Sequence, residues 1–274
     1  MTELIQELHD EVVQKIGAEL ETLTIERVVV GIFFTGVMLN NQAAGMSATP
    51  IKSIPEAVCC PSSAKSLPMP GKLKGKPVRQ LLTDLYCPHA TRKALAIAAL
   101  NALVETLWLR DGAPQNVTIG YGDAFSSIPI KSSQKVALVG AFPPYMRELR
   151  KRQIDFRVLE MDPATLKAEE MPFYAPADTA PQVIPQADIL IATGTTLING
   201  TLDALLGYLA PHARAAIIGP TTPLVADALA RRGVTFIGGT RVLDGHRLLD
   251  ILAEGGSGYH FFEKTVERIT LKIP

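Results

Sequence analysis

The sequence lacks several features that would restrict the class of protein. Its 274 residues include three cysteines, Cys59, Cys60 and Cys87, an odd and irregularly spaced set that makes no disulfide framework and fits a reducing compartment. Lysine plus arginine and aspartate plus glutamate number 27 each, so the excess positive charge that a nucleic acid requires is missing. No apolar run reaches the roughly 18 residues that a membrane span needs. We therefore expect a cytoplasmic protein that binds neither nucleic acid nor membrane.

The first part of the sequence predicts a small α+β domain. Apolar residues at helical spacing predict an amphipathic helix over residues 2–21, and the β-branched and aromatic stretch at residues 26–34 predicts a strand. Turn signals at Gly36 and Asn40 then indicate a β-meander that ends near Thr49. Residues 91–108 are apolar nearly all round, which is typical of a buried helix but leaves open a homodimer contact. We predict that this domain covers residues 1–115.

The second part, residues 116–274, has a different pattern. Short, continuous apolar runs alternate with helical segments, which predicts βαβ units around a parallel sheet that is buried on both faces. This is a Rossmann-like α/β domain, joined to the first by a hinge at residues 121–130. The predicted strands are residues 136–139, 156–159, 189–192, 215–218 and 234–237.

The turns that follow these strands are the first candidates for a binding site, because ligands of open parallel sheets lie beyond the carboxyl ends of the strands. Gly140, Gly194 and Gly219 each end a strand, and a threonine pair follows the last two. Glycine admits close approach of a ligand to the backbone, and threonine hydroxyls donate and accept hydrogen bonds. Such turns also serve as ordinary helix N-caps, and this alternative stays open. The threonine pairs are Thr195 with Thr196 and Thr221 with Thr222.

Ordinary dinucleotide binding is disfavoured by the turn after the first parallel strand. The sequence there is G-A-F-P-P-Y, which has two prolines and no second glycine, so it is not the G-x-G-x-x-G fingerprint. Glu160, about twenty residues further on, stands where a ribose-binding acid would lie. A solvated loop position is the alternative for Glu160.

Acid–base and metal-binding candidates are few. Asp123 in the hinge, His89 before the buried helix and His260 after a glycine-rich segment are the candidate catalytic residues. Cys59 and Cys60 could bind a soft ion, but no C-x-x-C or comparable spacing supports a metal site. The sequence identifies no metal and no cofactor.

The strand-end strings V-G-A-F, T-G-T-T-L-I-N-G-T and I-G-P-T-T-P-L resemble a family named for heavy-metal chelation. The segment V-V-V-G-I-F-F-T-G-V-M-L-N-N-Q in the first part is similar to the same family. The resemblance implies a first domain like the amino-terminal domain of enolase and a ligand site in the cleft between the domains. It also implies that Asn101 faces this cleft. The ligand-binding residues that it implies are Gly140, Phe142, Gly194, Thr195, Thr196, Asn199, Thr201, Gly219, Thr221 and Thr222.

The function that this resemblance implies is binding, with or without transformation, of a small polar or anionic metabolite linked to heavy-metal chelation. A pterin-like or siderophore-like metal chelator is the implied ligand class. Two alternatives stay open: a non-catalytic cytosolic carrier or sensor of a metal chelate, and a nucleotide-dependent transferase. The sequence does not decide whether the protein is an enzyme.

Overall fold

The first half of the chain folds into an antiparallel meander with helices against it, in agreement with the sequence pattern. The structure is a computed structural model that describes residues 3–53 and 69–274. The predicted first helix ends earlier than expected, because Gly17 leaves the α-helical region and a 3₁₀ turn follows. The elements of this half are α1 (Leu4–Ile16), β1 (Ile25–Val30), β2 (Phe34–Leu39), β3 (Ala44–Ala48), α2 (Arg79–Leu82) and α3 (Ala90–Asp111).

Helix α3 is the centre of this half. Most of its side chains are buried, and it packs on β2, β3 and α1. Strand β3 lies directly against it, since a Cβ atom at Gly45 would stand only 2.2 Å from the backbone nitrogen of Ala102. Most apolar side chains of α3 are thus covered by its own chain, whereas Leu109 is 60% exposed. The homodimer contact at this helix remains a prediction.

The second half is a mostly parallel α/β sheet, as predicted. In the described part of the chain its strands lie in the order β4-β11-β10-β9-β8-β5-β6-β7. Strands β5 to β10 run parallel, and β11 pairs antiparallel with β10 on one side and with β4 on the other. The six neighbouring strands β10-β9-β8-β5-β6-β7 have the doubly wound order of a Rossmann fold. The elements of this half are β4 (Thr118–Tyr121), β5 (Lys135–Val139), α4 (Pro143–Lys151), β6 (Asp155–Glu160), β7 (Tyr174–Pro176), α5 (Ala180–Val183), β8 (Ile189–Thr193), α6 (Leu202–Gly207), β9 (Arg214–Ile218), α7 (Asp227–Ala230), β10 (Val234–Val242), α8 (Gly245–Ala253), α9 (Gly258–Phe261) and β11 (Val266–Lys272).

Strands β4, β7 and β11 were not predicted. The predicted hinge at residues 121–130 is wrong at its start, because Tyr121 ends β4 and a 3₁₀ turn at Ala124–Ser127 follows. Strands β4 and β7 are short edge strands, which carry too few residues to show an alternating pattern. Strand β11 alternates, with Ile269 and Leu271 buried, but its antiparallel pairing to β10 depends on contacts distant in sequence.

The two halves share one hydrophobic core that runs from α1 and α3 to the sheet. A buried ion pair also joins them: Arg241 of β10 donates to Glu105 of α3 over 2.6 Å, and its guanidinium lies 4.8 Å from the centre of the Trp108 ring. The domain boundary between residues 115 and 116 remains a prediction. So does the similarity of the first domain to the amino-terminal domain of enolase, which the family resemblance implies. Within residues 3–53 and 69–274, no helix is long and apolar enough to cross a bilayer.

Candidate functional site

The carboxyl ends of the parallel strands lie along one edge of the sheet, where the sequence predicts a ligand site. The strand order reverses between the parallel neighbours β5 and β8, since β6 and β7 lie on one side of this pair and β9 and β10 on the other. A Rossmann protein binds its nucleotide at this reversal. The turns after β5 and β8 are therefore the expected nucleotide position, and the turns after β9 and β10 lie beside it on the same edge.

The turn after β5 is closed by Glu160. Gly140 adopts a φ of 95°, which favours glycine, and the next residue, Ala141, donates its N–H to Glu160 Oε2 over 3.0 Å. The other carboxylate oxygen accepts from Met161 N at 2.8 Å and from Asp162 N at 3.2 Å. Glu160, predicted to bind a ligand, therefore holds backbone amides of its own chain.

The amino terminus of α4, which begins at this turn, offers no free amide from its first four residues. Pro143 and Pro144 carry no N–H, and the amides of Tyr145 and Met146 both donate to the Phe142 carbonyl over 2.9 Å. A pyrophosphate needs such amides at a helix N-terminus. This geometry disfavours the nucleotide-dependent transferase.

The polar residues after β8 mostly bond to one another. Thr195 donates through both its N–H and its hydroxyl to Thr193 Oγ1, and the buried Thr196 hydroxyl donates to the Thr193 carbonyl over 2.6 Å. Asn199 Oδ1 accepts from the backbone N–H and the hydroxyl of Thr201, at 3.1 and 2.7 Å. Asn199 and Thr201 are exposed. This is the N-cap type of hydrogen bonding that the sequence left open.

The turn after β9 is buried between the two halves. Thr221 and Thr222 are each 2% exposed, and Thr221 Oγ1 accepts from the backbone N–H of Ala48 in β3 over 2.9 Å. Asn101 of α3 donates to the Met46 carbonyl over 2.8 Å and faces the same turn. Gly194 is required beside it, since its Cβ atom would stand 2.4 Å from Thr222 Oγ1. These residues hold the halves together, and this part of the predicted cleft is filled by the protein.

A cavity of about 170 Å³ lies at the end of β9 and against the middle of β10, and we call it the Arg268 cavity. Gly219, at a φ of 124°, lies at its floor with Gly238 and Gly239. A Cβ at Gly238 would come within 2.6 Å of the Ala124 side chain, so the glycines allow the covering loops to approach the sheet. The lining residues are Gly122, Asp123, Ala124, Phe142, Tyr145, Ile218, Gly219, Pro220, Gly238, Gly239, Thr240, Phe262, Arg268 and Ile269.

Two opposite charges line this cavity. Arg268 Nη1 lies 3.4 Å from Asp123 Oδ2, and Arg268 Nη2 donates to Glu263 Oε1 over 2.6 Å. The guanidinium lies 5.1 Å from the centre of the Phe262 ring. Its Nε is buried with no hydrogen-bond partner among the described residues. Of the guanidinium nitrogens, Nη1 has only the long contact with Asp123, so it is the one best placed to donate to an anionic group in the cavity.

Tyr145 gives the cavity an uncharged hydroxyl. Its ring stacks between Phe125 and Phe142, with ring centres 4.5 and 5.0 Å apart. Burial raises the pKa of the Tyr145 phenol far above its usual range, and the negative charge of Asp123 acts in the same direction. The phenol is thus neutral throughout the physiological pH range and can donate a hydrogen bond.

The three candidate catalytic residues lie in different places. Asp123 lines the Arg268 cavity, and its Oδ1 also accepts from Phe125 N over 3.0 Å. His89 is an exposed residue at the N-cap of α3, and His260 is exposed with its Nδ1 accepting from Ser257 N over 3.0 Å. Neither histidine lines the cavity. The structure therefore brings Asp123, Phe142 and Gly219 together and leaves the two histidines outside.

Sequence reasoning missed Arg268 and Tyr145. It searched the turns after parallel strands, whereas Arg268 lies on the antiparallel strand β11, opposite Thr240 of β10. Tyr145 follows the two prolines that open α4. It is the last residue of the G-A-F-P-P-Y string that replaces the dinucleotide-binding fingerprint, and this position could have identified it as a site residue.

The described residues do not include a metal centre. Within residues 3–53 and 69–274, no three histidine, cysteine, aspartate or glutamate side chains form a group that could hold a metal ion. Cys59 and Cys60 lie outside the described residues. The Cys87 thiol contacts the carbonyl of His89 at 3.6 Å, close to the start of α3.

Comparison with known proteins places the sequence in a family. Two family models, both described as "Putative heavy-metal chelation", match it: DUF364 over residues 123–271 and DUF4213 over residues 13–104. The uncharacterized protein MJ0500 of Methanocaldococcus jannaschii is 25% identical over 184 residues, which span 66% of this chain and 66% of that protein. The DUF364 match alone covers more than half of the 274 residues.

Two solved structures have the same fold. A DUF364 protein of unknown function from Desulfitobacterium hafniense is 21% identical, with a TM-score of 0.72 and coverage of 98% of each chain. A DUF364 protein of unknown function from Pyrococcus horikoshii is 18% identical, with a TM-score of 0.76 and coverage of 98% of this chain and 100% of that chain. These likenesses show that the whole fold is shared.

Proposed function

This chain belongs to the DUF364 family, and from that premise we propose that it binds a small polar or anionic metabolite in the Arg268 cavity. The observation that carries the proposal is the position of Arg268, whose guanidinium lies over an aromatic ring in a cavity that is also lined by glycines at the end of β9 and within β10. Arginine in such a position binds carboxylates and other oxyanions through paired N–H groups. The ligand would be a metal chelator or a precursor of one.

Binding without turnover is the form of this function that the cavity supports best. Of the titratable side chains that line it, Tyr145 is held neutral and Asp123 is paired with Arg268. A general base has to be free to take a proton from its substrate, and the Asp123 carboxylate already lies 3.4 Å from the Arg268 guanidinium. A cytoplasmic carrier or sensor of a small chelator is consistent with this arrangement.

A thermal-shift screen tests the proposal. The purified chain and its Arg268→Gln variant are heated with nucleotides, S-adenosylmethionine, pterins, small carboxylates and divalent metals, each alone and in pairs. At a ligand concentration about a hundredfold above Kd, the midpoint of the wild type should rise by about 5 °C or more. Arg268→Gln should lose this shift, because the anionic group of the ligand no longer has a partner.

Arg247→Gln is the matched control, because Arg247 is exposed on α8 and does not line the cavity. This variant should keep the full shift. A ligand whose shift survives Arg268→Gln but disappears in Asn199→Ala would instead locate the site at the turn after β8 and overturn the proposal. Similar midpoints of the ligand-free variants show that folding is not the cause of a lost shift.

A further inference from the structure

The charges around the Arg268 cavity do not suit a ligand that is only anionic. Arg268 is the one guanidinium among the lining residues, and two carboxylates pair with it: Asp123, which also lines the cavity, and the exposed Glu263. Glu263 holds this position in a left-handed conformation, with a φ of 62°, which is unusual for a residue other than glycine. A third carboxylate that entered alone would gain Arg268 but meet the negative charge of Asp123.

We infer that the cavity binds a small zwitterion, an aminocarboxylate whose carboxylate meets Arg268 and whose ammonium group meets Asp123. This inference rests on the proposed function and names the class of its ligand. Asp123 and Arg268 are suited to it because their charged atoms lie 3.4 Å apart, so a ligand with amine and carboxylate on one or two neighbouring carbons can reach both. Each ligand charge then faces an opposite one.

The size and walls of the cavity limit the ligand further. A cavity of 150 Å³ in another protein holds benzene, so about 170 Å³ accommodates roughly six to nine non-hydrogen atoms. Phe142 and Phe262 give it apolar walls, and the Tyr145 hydroxyl lies on the Asp123 side. An amino acid or a compact aminodicarboxylate fits, whereas a larger pterin-like or siderophore-like molecule would project from the opening.

An aminocarboxylate chelates a metal through its amine nitrogen and its carboxylate. These are the same two groups that meet Asp123 and Arg268 in the cavity. Chelation requires a deprotonated amine nitrogen, because the metal takes its lone pair. Asp123 favours the protonated ammonium form, since a carboxylate accepts hydrogen bonds and attracts positive charge. The cavity therefore selects the metal-free form of the ligand, and a metal ion and the protein compete for it.

Iminodiacetate and glutarate form a matched pair of probes for this inference. Each has about nine non-hydrogen atoms and two carboxylates, the volume that the cavity accommodates, and they differ at the centre, where iminodiacetate has an ammonium group and glutarate a methylene group. Binding is measured by nuclear magnetic resonance titration of the whole chain at neutral pH. Iminodiacetate should bind about tenfold to a hundredfold more tightly than glutarate, as expected for one added charge-assisted hydrogen bond.

Asp123→Asn identifies the partner of the ammonium group. Asparagine keeps the oxygen that caps the Phe125 amide, so the fold is retained while the negative charge is lost. The variant should bind iminodiacetate and glutarate with similar affinity. Asp155→Asn, an equal loss of charge at the amino-terminal end of β6, should leave the preference for iminodiacetate unchanged.

Nickel ions separate the metal-free from the metal-loaded form. An excess of Ni²⁺ over iminodiacetate should displace the probe from the protein and leave glutarate binding nearly unchanged. Tighter binding of the nickel complex would overturn the selection of the metal-free form. Equal binding of both probes to the wild type, a preference that survives Asp123→Asn, or no binding of iminodiacetate would overturn the zwitterion inference.

The proposed function fails by a different result. If a polar metabolite from the thermal-shift screen binds in an Arg268-dependent way while iminodiacetate does not, the site is retained and only its ligand class is wrong. If no ligand depends on Arg268, the site itself is wrong.

Discussion

The turn after β5 and the Arg268 cavity lie along the same edge of one sheet, but they use their polar groups in opposite ways. At the turn, Glu160 takes up the Ala141 amide, and Pro143 and Pro144 bring no donors, so the backbone is closed to a phosphate. At the cavity, Arg268 Nη1 makes only a 3.4 Å contact with Asp123, and glycines are among the lining residues. The position of a site on a doubly wound sheet is therefore decided by which strand end the side chains leave open.

The largest expected effect comes from opening the closed turn. In Glu160→Ala, the amides of Ala141, Met161 and Asp162 lose their acceptor. Because hydrogen bonds to a charged group are worth more than neutral ones and Glu160 is half-buried, the free energy of unfolding should fall by about 2–4 kcal/mol. Urea denaturation followed by circular dichroism measures this loss. Glu169→Ala, at an exposed position nearby, should stay within about 0.5 kcal/mol of the wild type.

The same variant tests whether the comparison between the two regions holds. If the turn is structural, Glu160→Ala still binds the ligand of the Arg268 cavity under conditions in which the variant is folded. A variant of nearly wild-type stability that no longer binds would show that Glu160 touches the ligand. The contrast between the two strand ends would then be lost.

The contrast between satisfied and unsatisfied groups recurs in two adjacent threonines. The Thr221 hydroxyl accepts from the Ala48 amide, whereas the Thr222 hydroxyl has no partner among the described residues, and both side chains are buried. Thr221→Val should lower the free energy of unfolding by about 1–3 kcal/mol, because it leaves a polar N–H without an acceptor. Thr222→Val should be neutral or slightly stabilising, because it removes a buried hydroxyl that gains no bond.

Thermal and urea denaturation of the two valine variants measure this difference directly. The two substitutions change shape equally and lie side by side, so each serves as the control of the other. If Thr222→Val is the more destabilising one, its hydroxyl has a partner in solution, such as a bound water, and the turn after β9 is less fully closed than the contacts indicate.

The parts of the fold that the sequence predicts are those with local signals. The predicted parallel strands are short apolar runs, and α3 is apolar nearly all round, so both follow from composition and periodicity. Strand β11 carries the charged pair Glu267 and Arg268 between its apolar residues, and its place beside β10 depends on pairing across the sheet. No local pattern encodes that pairing.

The same limit applies to the site. The structure brings together Asp123 from the predicted hinge, Gly219 at the end of a predicted strand and Phe142, which the family resemblance implies. The sequence also predicts Thr195, Thr196, Thr221 and Thr222 as ligand-binding residues. The first three hydroxyls already make hydrogen bonds within the protein, to Thr193 or to the Ala48 amide. Whether a hydroxyl is free depends on what packs against it, and this is a property of the tertiary structure.

The smallest expected effect is on the pH dependence of stability and concerns Tyr145. It tests whether the Tyr145 phenol is an uncharged hydrogen-bond donor in the cavity. The pKa of this phenol is raised in the folded chain, whereas in the unfolded chain it is about 10. Above about pH 10 the unfolded chain therefore loses a proton that the folded chain retains, so stability falls as the pH rises, by up to about 1.4 kcal/mol per pH unit for this group. Below that pH the contribution is fully present.

Tyr145→Phe removes this one titration. Its free energy of unfolding should be within about 1 kcal/mol of the wild type at neutral pH, since one hydrogen bond to Asp123 is lost. Between about pH 9 and pH 11 its stability should decline less steeply than that of the wild type, by the equivalent of one proton. Tyr121→Phe, at a position 71% exposed, should reproduce the wild-type slope.

Equal slopes in the wild type and Tyr145→Phe would mean that the phenol ionises as freely in the folded chain as in the unfolded one. The cavity would then be open to water at its Asp123 side, and its contrast with the closed turn after β5 would be one of degree.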